Sequence, residues 1–351
     1  MSDPNTLRVL SFDGGGERGY LSLNFFKKFV QLWGIDPATI AQRFDVITGT
    51  SVGGIMGLAF AFGKTIDEII PFFTVQGPYI FSLSSIIPSL RPNLAAKVAL
   101  ILADIPFYQS SGPTAPNYGS GLLTATLQTE FGSNTLQDLQ TSVIIPSYEV
   151  DTNTYVLFSN LNYPDFIGQN ELVSNVALAT AAAPIYLPAL SLNSHTYIDG
   201  GVYQNNPASF GRTLAEIIKP TATRCCVLSL GTGIGELGFD PGLPDMVDLR
   251  VAHLITPESV LAFDSIATLF SLFEIASFGG QESVAKNMSL EASYALTQLY
   301  HYRFQPILDP NINTELDNTD SAILTYYEDT ATDYFNADIE NIATFLGHLT
   351  A

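Results

Sequence analysis

The sequence predicts an α/β fold built on a mostly parallel sheet. Strand-like and helix-like patterns alternate over the first hundred residues, and glycine-rich turns join them. Parallel strands must be connected by crossovers, which are usually helices, so this alternation is typical of an α/β protein. Hydrophobic residues make up 46% of the 351 residues and aromatic residues 11%, which is enough apolar surface for a large core.

The first two units each run from a strand through a turn into a helix. Residues 7–12 form a short apolar run, and residues 20–33 carry apolar side chains at helical spacing. The pattern then repeats, with a strand over 44–47 and a tight turn over 49–54. A helix over 55–62 follows, and because it is apolar nearly all round we expect it to be buried.

Regular patterns fade over residues 77–116, which are rich in proline and predict an irregular insertion. The sequence then predicts a helix over 122–131, strands over 142–150 and 155–158, a helix over 172–183, a strand ending at 199, a helix over about 207–218 and a strand over 226–230. The chain beyond residue 235 is predicted to be mainly helical, with segments at 257–280, 283–302 and 320–347. We therefore expect one domain over 1–235 and a helical C-terminal region over 236–351 packed on it.

The charge is strongly acidic and uneven. The chain has 14 Lys and Arg against 34 Asp and Glu, a formal net charge of −20. Residues 1–100 hold 8 basic and 7 acidic side chains, which leaves 14 − 8 = 6 basic and 34 − 7 = 27 acidic ones for residues 101–351. Such a chain is repelled by phosphate backbones and anionic lipids, so nucleic-acid binding and polybasic membrane attachment are disfavoured.

The two cysteines, Cys225 and Cys226, are neighbours on a predicted strand and so point to opposite faces. No disulfide framework or thiolate metal site follows from them. The N-terminus has no basic region followed by an apolar stretch, and the apolar run 46–63 is broken by glycines and polar residues. We expect a soluble protein without a membrane span, either cytoplasmic or exported without a cleavable signal peptide.

Two glycine-bearing segments are similar to nucleotide-binding loops. Residues 14–19 fit G-x-G-x-x-G between a strand and a helix, but a dinucleotide site also needs an acid about 20 positions on. Asp36 has that distance yet lies in a turn, which disfavours the dinucleotide interpretation. Residues 57–65 resemble a phosphate-binding loop but follow a helix instead of preceding one. Their backbone amides are therefore hydrogen-bonded within the helix and cannot bind a phosphate.

A third motif indicates nucleophilic catalysis. Residues 49–53 place G-x-S-x-G at a strand-to-helix junction, the setting of a nucleophile elbow. Such a turn is too sharp for side chains at 49 and 53, and it exposes the hydroxyl of Ser51 at a helix N-terminus. The amide of Val52 is then free to face an oxyanion.

A serine nucleophile needs a base. A Ser-Asp-His order would require one of the later histidines and stays open, although none of the four lies in a catalytic-looking motif: His195, His253, His301 and His348. Asp199 is the stronger candidate. It ends a strand and precedes Gly200 and Gly201, which permit close approach of another backbone.

Taken together, the segments 13–19, 49–53 and 199–201 resemble the patatin-like phospholipase family in order, spacing and context. The small-residue block 179–184 and the strand end 228–233 extend the resemblance, which covers about residues 7–235. It implies a three-layer α/β/α fold and a Ser-Asp dyad in place of a triad.

On this resemblance Ser51 is the nucleophile and Asp199 its general base. The amides of Gly15 and Gly16, beside Gly14, form the oxyanion hole, and Arg18 supports that loop or the anionic intermediate. The conformation of the elbow and of the base motif rests on Gly49, Gly53, Gly200 and Gly201. Glu17 departs from the family, which usually has an apolar or small residue there. We expect it to point to solvent or to pair with Arg18.

The resemblance implies hydrolysis of fatty acyl esters through an acyl-enzyme, with no cofactor and no metal. The implied substrate is a phospholipid or another acyl-ester lipid. An acidic protein would reach it through transient apolar contacts from 77–107 or 257–280, and an activating protein partner stays open. Two alternatives remain: a catalytically silent lipid-binding or storage protein, and a small-ester hydrolase that uses a histidine.

Overall fold

A computed structural model describes residues 5–81, 120–184, 186–235, 277, 279–292 and 298–351. The strands are β1 (Thr6–Phe12), β2 (Val46–Gly49), β3 (Ser142–Glu149), β4 (Thr154–Ser159), β5 (Leu190–Leu192), β6 (His195–Asp199), β7 (Arg224–Leu230) and β8 (Gln298–Phe304). The helices are α1 (Gly19–Trp33), α2 (Val52–Phe62), α3 (Ile66–Pro71), α4 (Gly77–Ile80), α5 (Ser120–Phe131), α6 (Val173–Ala181), α7 (Ala208–Ile218), α8 (279–292), α9 (Ser321–Ala337) and α10 (Ile339–Thr350). A π-helical turn over Phe72–Gln76 joins α3 to α4.

The strands form one sheet in the order β5-β6-β3-β2-β1-β7-β8, and β4 also pairs with β3. The five strands from β3 to β8 in that order run parallel, whereas β3 pairs antiparallel with β4 and β6, and β5 pairs antiparallel with β6. The predicted mostly parallel sheet is confirmed. At its centre Val9 of β1 aligns with Val46 of β2 on one side and with Val227 of β7 on the other.

Apolar side chains cover both faces of the sheet, as a sheet with helices on either side requires. One cluster includes Leu10 and Phe12 of β1 and packs against α1, α2 and α9. The second includes Leu7 and Val9 and packs against α7 and α8. Cys225 and Cys226 divide between the two clusters as neighbours on a strand must, and both thiols are free. The result is a three-layer α/β/α arrangement.

Three sequence expectations need correction. The helix expected over 55–62 begins at Val52, because the elbow turns directly into α2. The single helix expected over 320–347 is two helices that break at Asp338, whose carboxylate accepts a hydrogen bond from the Tyr302 hydroxyl at 2.6 Å. The segment 283–302 is helical only in its first part. Its end forms β8, in which Leu299, Tyr302 and Phe304 are buried and the residues between them are more exposed.

Strand β8 pairs with β7 along its whole length, so residues beyond 235 complete the sheet. The division at residue 235 stays a prediction. The insertion at 77–116 and the segment 257–280 lie mostly outside the described residues. Within the described residues, no helix combines the length and the apolar character that a membrane span requires.

Candidate active site

The candidate site lies where the carboxyl ends of β1 and β2 meet at one edge of the sheet. β1 is the strand at which the chain order reverses, with β2 on one side and β7 on the other. Ligands in open α/β sheets bind at such a switch point. The glycine-rich loop follows β1 and Ser51 follows β2, so parallel pairing brings the two predicted motifs together.

Ser51 occupies the sharp turn between β2 and α2. Its φ of 56° is positive, a strained conformation for a residue with a side chain. Both flanking glycines are required by contact. A Cβ on Gly49 would lie 2.0 Å from the carbonyl oxygen of Gly53, and a Cβ on Gly53 would lie 2.4 Å from that of Phe12. The backbone therefore has the geometry of a nucleophile elbow.

Asp199 ends β6 and is 1% exposed. Its Oδ1 accepts a hydrogen bond from the amide of Gly201 at 2.6 Å, whereas its Oδ2 has no hydrogen-bond partner among the described residues. Burial raises the pKa of Asp199 to about 7, and the nearby Ser51 hydroxyl and the Gly201 amide offset part of that rise. Gly200 lets this turn lie close to β3, since a Cβ there would be 2.5 Å from the carbonyl oxygen of Pro146.

In the loop after β1, some backbone amides donate hydrogen bonds within the protein and others do not. Gly14 N donates to the carbonyl of Asn205 at 3.1 Å, and Glu17 N donates to that of Leu316 at 2.8 Å. Gly15 and Gly16 lie between them, and their amides donate to no carbonyl of the described residues. Gly14 therefore holds the loop in place, and the amides of Gly15 and Gly16 remain available as hydrogen-bond donors.

Arg18 is buried beside this loop and is not among the residues that line the cleft. Its Nε donates to the carbonyl oxygen of Thr314 at 2.5 Å. This geometry favours support of the loop over direct contact with an anionic intermediate.

The expectation for Glu17 is wrong. Its side chain neither reaches solvent nor pairs with Arg18: it is 1% exposed, and neither carboxyl oxygen has a hydrogen-bond partner among the described residues. The carboxyl packs against the backbone of Gly77, where a Cβ would lie 2.3 Å from Oε1. Burial raises the pKa of Glu17 well above its ordinary value, and the nearby charge of Asp317 adds to the effect.

The described histidines lie away from the cleft. His195 Nδ1 is 2.9 Å from Glu149 Oε1, and with Asp151 these residues form a group whose ligand atoms lie within 4.8 Å of one another. That group could offer ligands to a metal ion, but it lies at the far end of β6 from Asp199. His301 is partly buried in β8, and His348 stacks on Tyr300 with ring centroids 3.8 Å apart. His253 lies outside the described residues.

One cleft brings the main predicted residues together. Ser51, Asp199 and the loop Gly14 to Gly16 line its polar side. The remaining wall is largely apolar and comes from α2, α4, α5, α6 and the segments next to them: Val52, Ile55, Phe72, Ile80, Phe81, Leu123, Ala181, Ala183, Tyr186 and Leu187. This lining suits an apolar ligand that is fixed by a few polar groups.

Sequence reasoning missed the side chains that hold the site in place. Thr180 Oγ1 accepts the Ser51 amide at 3.1 Å and donates to the Pro146 carbonyl at 2.7 Å. Thr232 Oγ1 and Asn205 Nδ2 donate to the Gly14 carbonyl at 2.9 and 3.3 Å. The sequence offers one signal for these side chains, which is their position: Thr180, Asn205 and Thr232 each lie in a segment that follows or precedes a motif.

Comparison with known proteins finds matches to one family. The family model described as "Patatin-like phospholipase" matches residues 10–210, more than half of the 351-residue chain. A protein named "cGAMP-activated phospholipase" from Vibrio cholerae is 32% identical over 229 residues, which cover 62% of this chain and 60% of that protein. "Patatin-like protein 2" from Arabidopsis thaliana is 31% identical over 260 residues, which cover 65% and 60%. The chain thus spans about 60% of the length of these curated relatives.

Among solved structures, VipD from Legionella pneumophila aligns with a TM-score of 0.40 and 12% identity. The alignment covers 96% of this chain and 68% of VipD.

Proposed function

The chain belongs to the patatin-like phospholipase family, and from that premise we propose that it hydrolyses fatty acyl esters of lipids. Ser51 is the nucleophile and Asp199 its general base. The observation that carries this proposal is the single cleft in which both residues, the amides of Gly15 and Gly16 and an apolar wall meet. An acyl chain can lie along that wall while its ester carbonyl reaches Ser51.

The chemistry follows from the positions of the donors and acceptors. As Ser51 Oγ forms a bond to the carbonyl carbon, its proton passes to the unpartnered Oδ2 of Asp199. The carbonyl oxygen becomes an oxyanion, which the Gly15 and Gly16 amides stabilise. Asp199 then returns the proton to the leaving alcohol, and an acyl-enzyme remains. Water repeats the sequence and releases the fatty acid.

The environment of Asp199 suits this role. A general base is most effective when its pKa lies near the working pH, and burial brings the pKa of Asp199 to about 7. The Gly201 amide holds Oδ1 and leaves Oδ2 for the nucleophile. The positive φ of Ser51 fixes the direction of its side chain, so little reorganisation is needed.

We propose a lipid in a neutral or zwitterionic interface as the substrate. The net charge of −20 opposes approach to anionic surfaces. Exposed apolar residues lie on the elements that line the cleft: Val75 is 53% exposed, Tyr79 64% and Leu122 47%. Their neighbours Ile80 and Leu123 line the cleft itself. Contact of these side chains with a bilayer would place the cleft next to its substrate.

The relatives named cGAMP-activated phospholipase raise the question of an activator. Activity should therefore be measured with and without cGAMP. The acidic charge of this chain opposes binding of an anionic dinucleotide. We therefore propose that the chain hydrolyses its substrate without cGAMP.

The test uses the full chain, mixed vesicles of phosphatidylcholine and monoacylglycerol, and a p-nitrophenyl butyrate control. We expect release of free fatty acid, and we expect Ser51→Ala and Asp199→Asn each to lower kcat by at least about 10³-fold. A fluorophosphonate probe should label wild type at Ser51. Full turnover by either variant would refute the dyad.

Two other outcomes correspond to the alternatives. If the probe never labels Ser51 while the chain still binds lipid, the chain is a silent lipid-binding or storage protein. If Asp199→Asn stays active and a histidine variant does not, the base is a histidine. Residue His253 is the one to replace first, since the described histidines do not line the cleft.

A further inference from the structure

A buried ion pair connects the C-terminal strand to the start of the oxyanion loop. Arg303 of β8 donates from Nη1 to Asp13 Oδ1 at 2.9 Å and from Nη2 to Asp13 Oδ2 at 2.6 Å. Asp13 is 0% exposed and directly precedes Gly14, and the side chain of Arg303 is 13% exposed. A bidentate pair of this kind fixes direction as well as charge.

Small residues lie along the path that the Arg303 side chain takes across the sheet. Arg303 aligns with Ser229 of β7, and Ser229 aligns with Ser11 of β1, so the three residues lie in one row across three strands. Adjacent strands are about 4.8 Å apart, and small serines leave room for a long side chain to reach across that distance. Arg303 Nη1 also donates to Ser229 Oγ at 2.9 Å. At Gly231, a Cβ would come within 2.7 Å of Arg303 Nη2.

A second connection joins the same loop to the same region. Gln281 of α8 donates from Nε2 to the Gly14 carbonyl at 3.3 Å. Gln305, just after β8, donates to Gln281 Oε1 at 3.1 Å and accepts the Gly233 amide at 3.2 Å. Asp13 and Gly14 are therefore held by side chains that lie beyond the 10–210 span matched by the family.

We propose that Arg303 is a positioning residue for the reaction: through Asp13 it holds the loop so that the Gly15 and Gly16 amides point at the carbonyl oxygen of the substrate. This inference rests on the proposed ester hydrolysis. It makes the C-terminal strand part of the catalytic apparatus, although Arg303 touches no reacting atom.

The decisive variant is Arg303→Met, with Arg212→Met as the matched control. Arg212 is similarly buried, with a side chain 17% exposed, and it also pairs with the C-terminal region through Glu291, but it does not contact the loop. We expect Arg303→Met to lower kcat on p-nitrophenyl butyrate about 10- to 100-fold with little change in KM. Donors that act on the oxyanion affect the transition state more than the bound substrate.

Two further variants separate positioning from folding. Arg303→Lys keeps the charge but not the fork, so kcat should recover only in part. Asp13→Asn combined with Arg303→Met leaves no unpaired buried charge and should restore the melting temperature without restoring kcat. Equal kcat in wild type and Arg303→Met, or equal losses in Arg303→Met and Arg212→Met, would overturn the proposal.

Hydrogen exchange provides a readout that does not depend on turnover. Peptides that cover residues 10–20 should exchange faster in Arg303→Met than in Arg212→Met, even if the wild-type chain hydrolyses none of the esters tested. Unchanged exchange in those peptides would also overturn the proposal. An inactive wild type with faster loop exchange in Arg303→Met would count against the proposed function alone.

Discussion

Replacement of buried Asp199, the proposed general base, by asparagine should stabilise the folded chain while it abolishes the proposed hydrolysis. The pKa of Asp199 is about 7 when folded, against an ordinary value of 3.8, because burial disfavours the charged carboxylate. The difference of 7 − 3.8 is roughly 3 units, and each unit corresponds to about 1.36 kcal/mol, so the ionised side chain costs up to about 4 kcal/mol of unfolding free energy.

The sign of the change in stability with pH depends on whether the folded or the unfolded state binds more protons. Below pH 3.8 the carboxyl is protonated in both states and contributes nothing. Between pH 3.8 and about 7 the folded state holds the proton and the unfolded state does not, so the contribution of Asp199 to stability falls as pH rises. Above about pH 7 the full cost is present. Asparagine keeps an oxygen for the Gly201 amide and carries no charge, so it removes this cost.

Urea unfolding of wild type and Asp199→Asn at several pH values measures this difference directly. We expect similar free energies of unfolding at pH 4 and a difference that grows to a few kcal/mol in favour of Asp199→Asn at pH 8. Asp13, whose burial also raises its pKa, to about 6, is present in both proteins and cancels from the comparison. For wild type, kcat/KM should rise with pH through about 7 as Asp199 ionises.

A difference that does not change with pH, or a variant less stable than wild type at pH 8, would refute this reasoning. Ser51→Ala is the control. It removes the hydroxyl that lowers the pKa of Asp199 and should leave the downward trend of stability with pH in place.

Three more predictions follow from particular contacts. Gly49→Ala should fail to react with a fluorophosphonate probe, because a Cβ there would lie 2.0 Å from a backbone oxygen in the elbow. Thr180→Val removes the acceptor of the Ser51 amide and should lower kcat about tenfold with a small change in KM, measured on p-nitrophenyl butyrate. Tyr79→Ser with Leu122→Ser should weaken binding to phosphatidylcholine vesicles by about tenfold or more in a flotation assay, whereas Ile307→Ser, 83% exposed and outside the cleft wall, should not.

The sequence predicts the elements around the candidate site well because their signals are local. The turn at Gly49 to Gly53 and the alternation of strands and helices depend on neighbouring residues, so they can be recognised without the fold. Strand β8 is harder to predict from the sequence. Its residues, such as Tyr300 and Tyr302, are amphipathic and sit beside helical segments, and only pairing with β7 decides that they form a strand.

The residues that contact the glycine loop after β1 could not be predicted from the sequence, for a different reason. Arg303 lies 290 residues from Asp13, in no motif, and their contact depends on the order of strands in the sheet. Thr180 and Asn205 depend in the same way on how α6 and the turn after β6 pack. Long-range contacts of this kind leave no periodicity that a single sequence displays.

Glu17 illustrates how burial can reverse an electrostatic argument. A carboxylate beside the oxyanion loop would oppose the negative charge that develops on the substrate oxygen. The side chain lies in the cleft wall, yet burial and the neighbouring Asp317 raise its pKa, which shifts the carboxyl toward its neutral form. In the proposed reaction this shift weakens the opposing charge at position 17. Burial thus acts in the same direction on the pKa of Asp199, the proposed base, and on the pKa of Glu17.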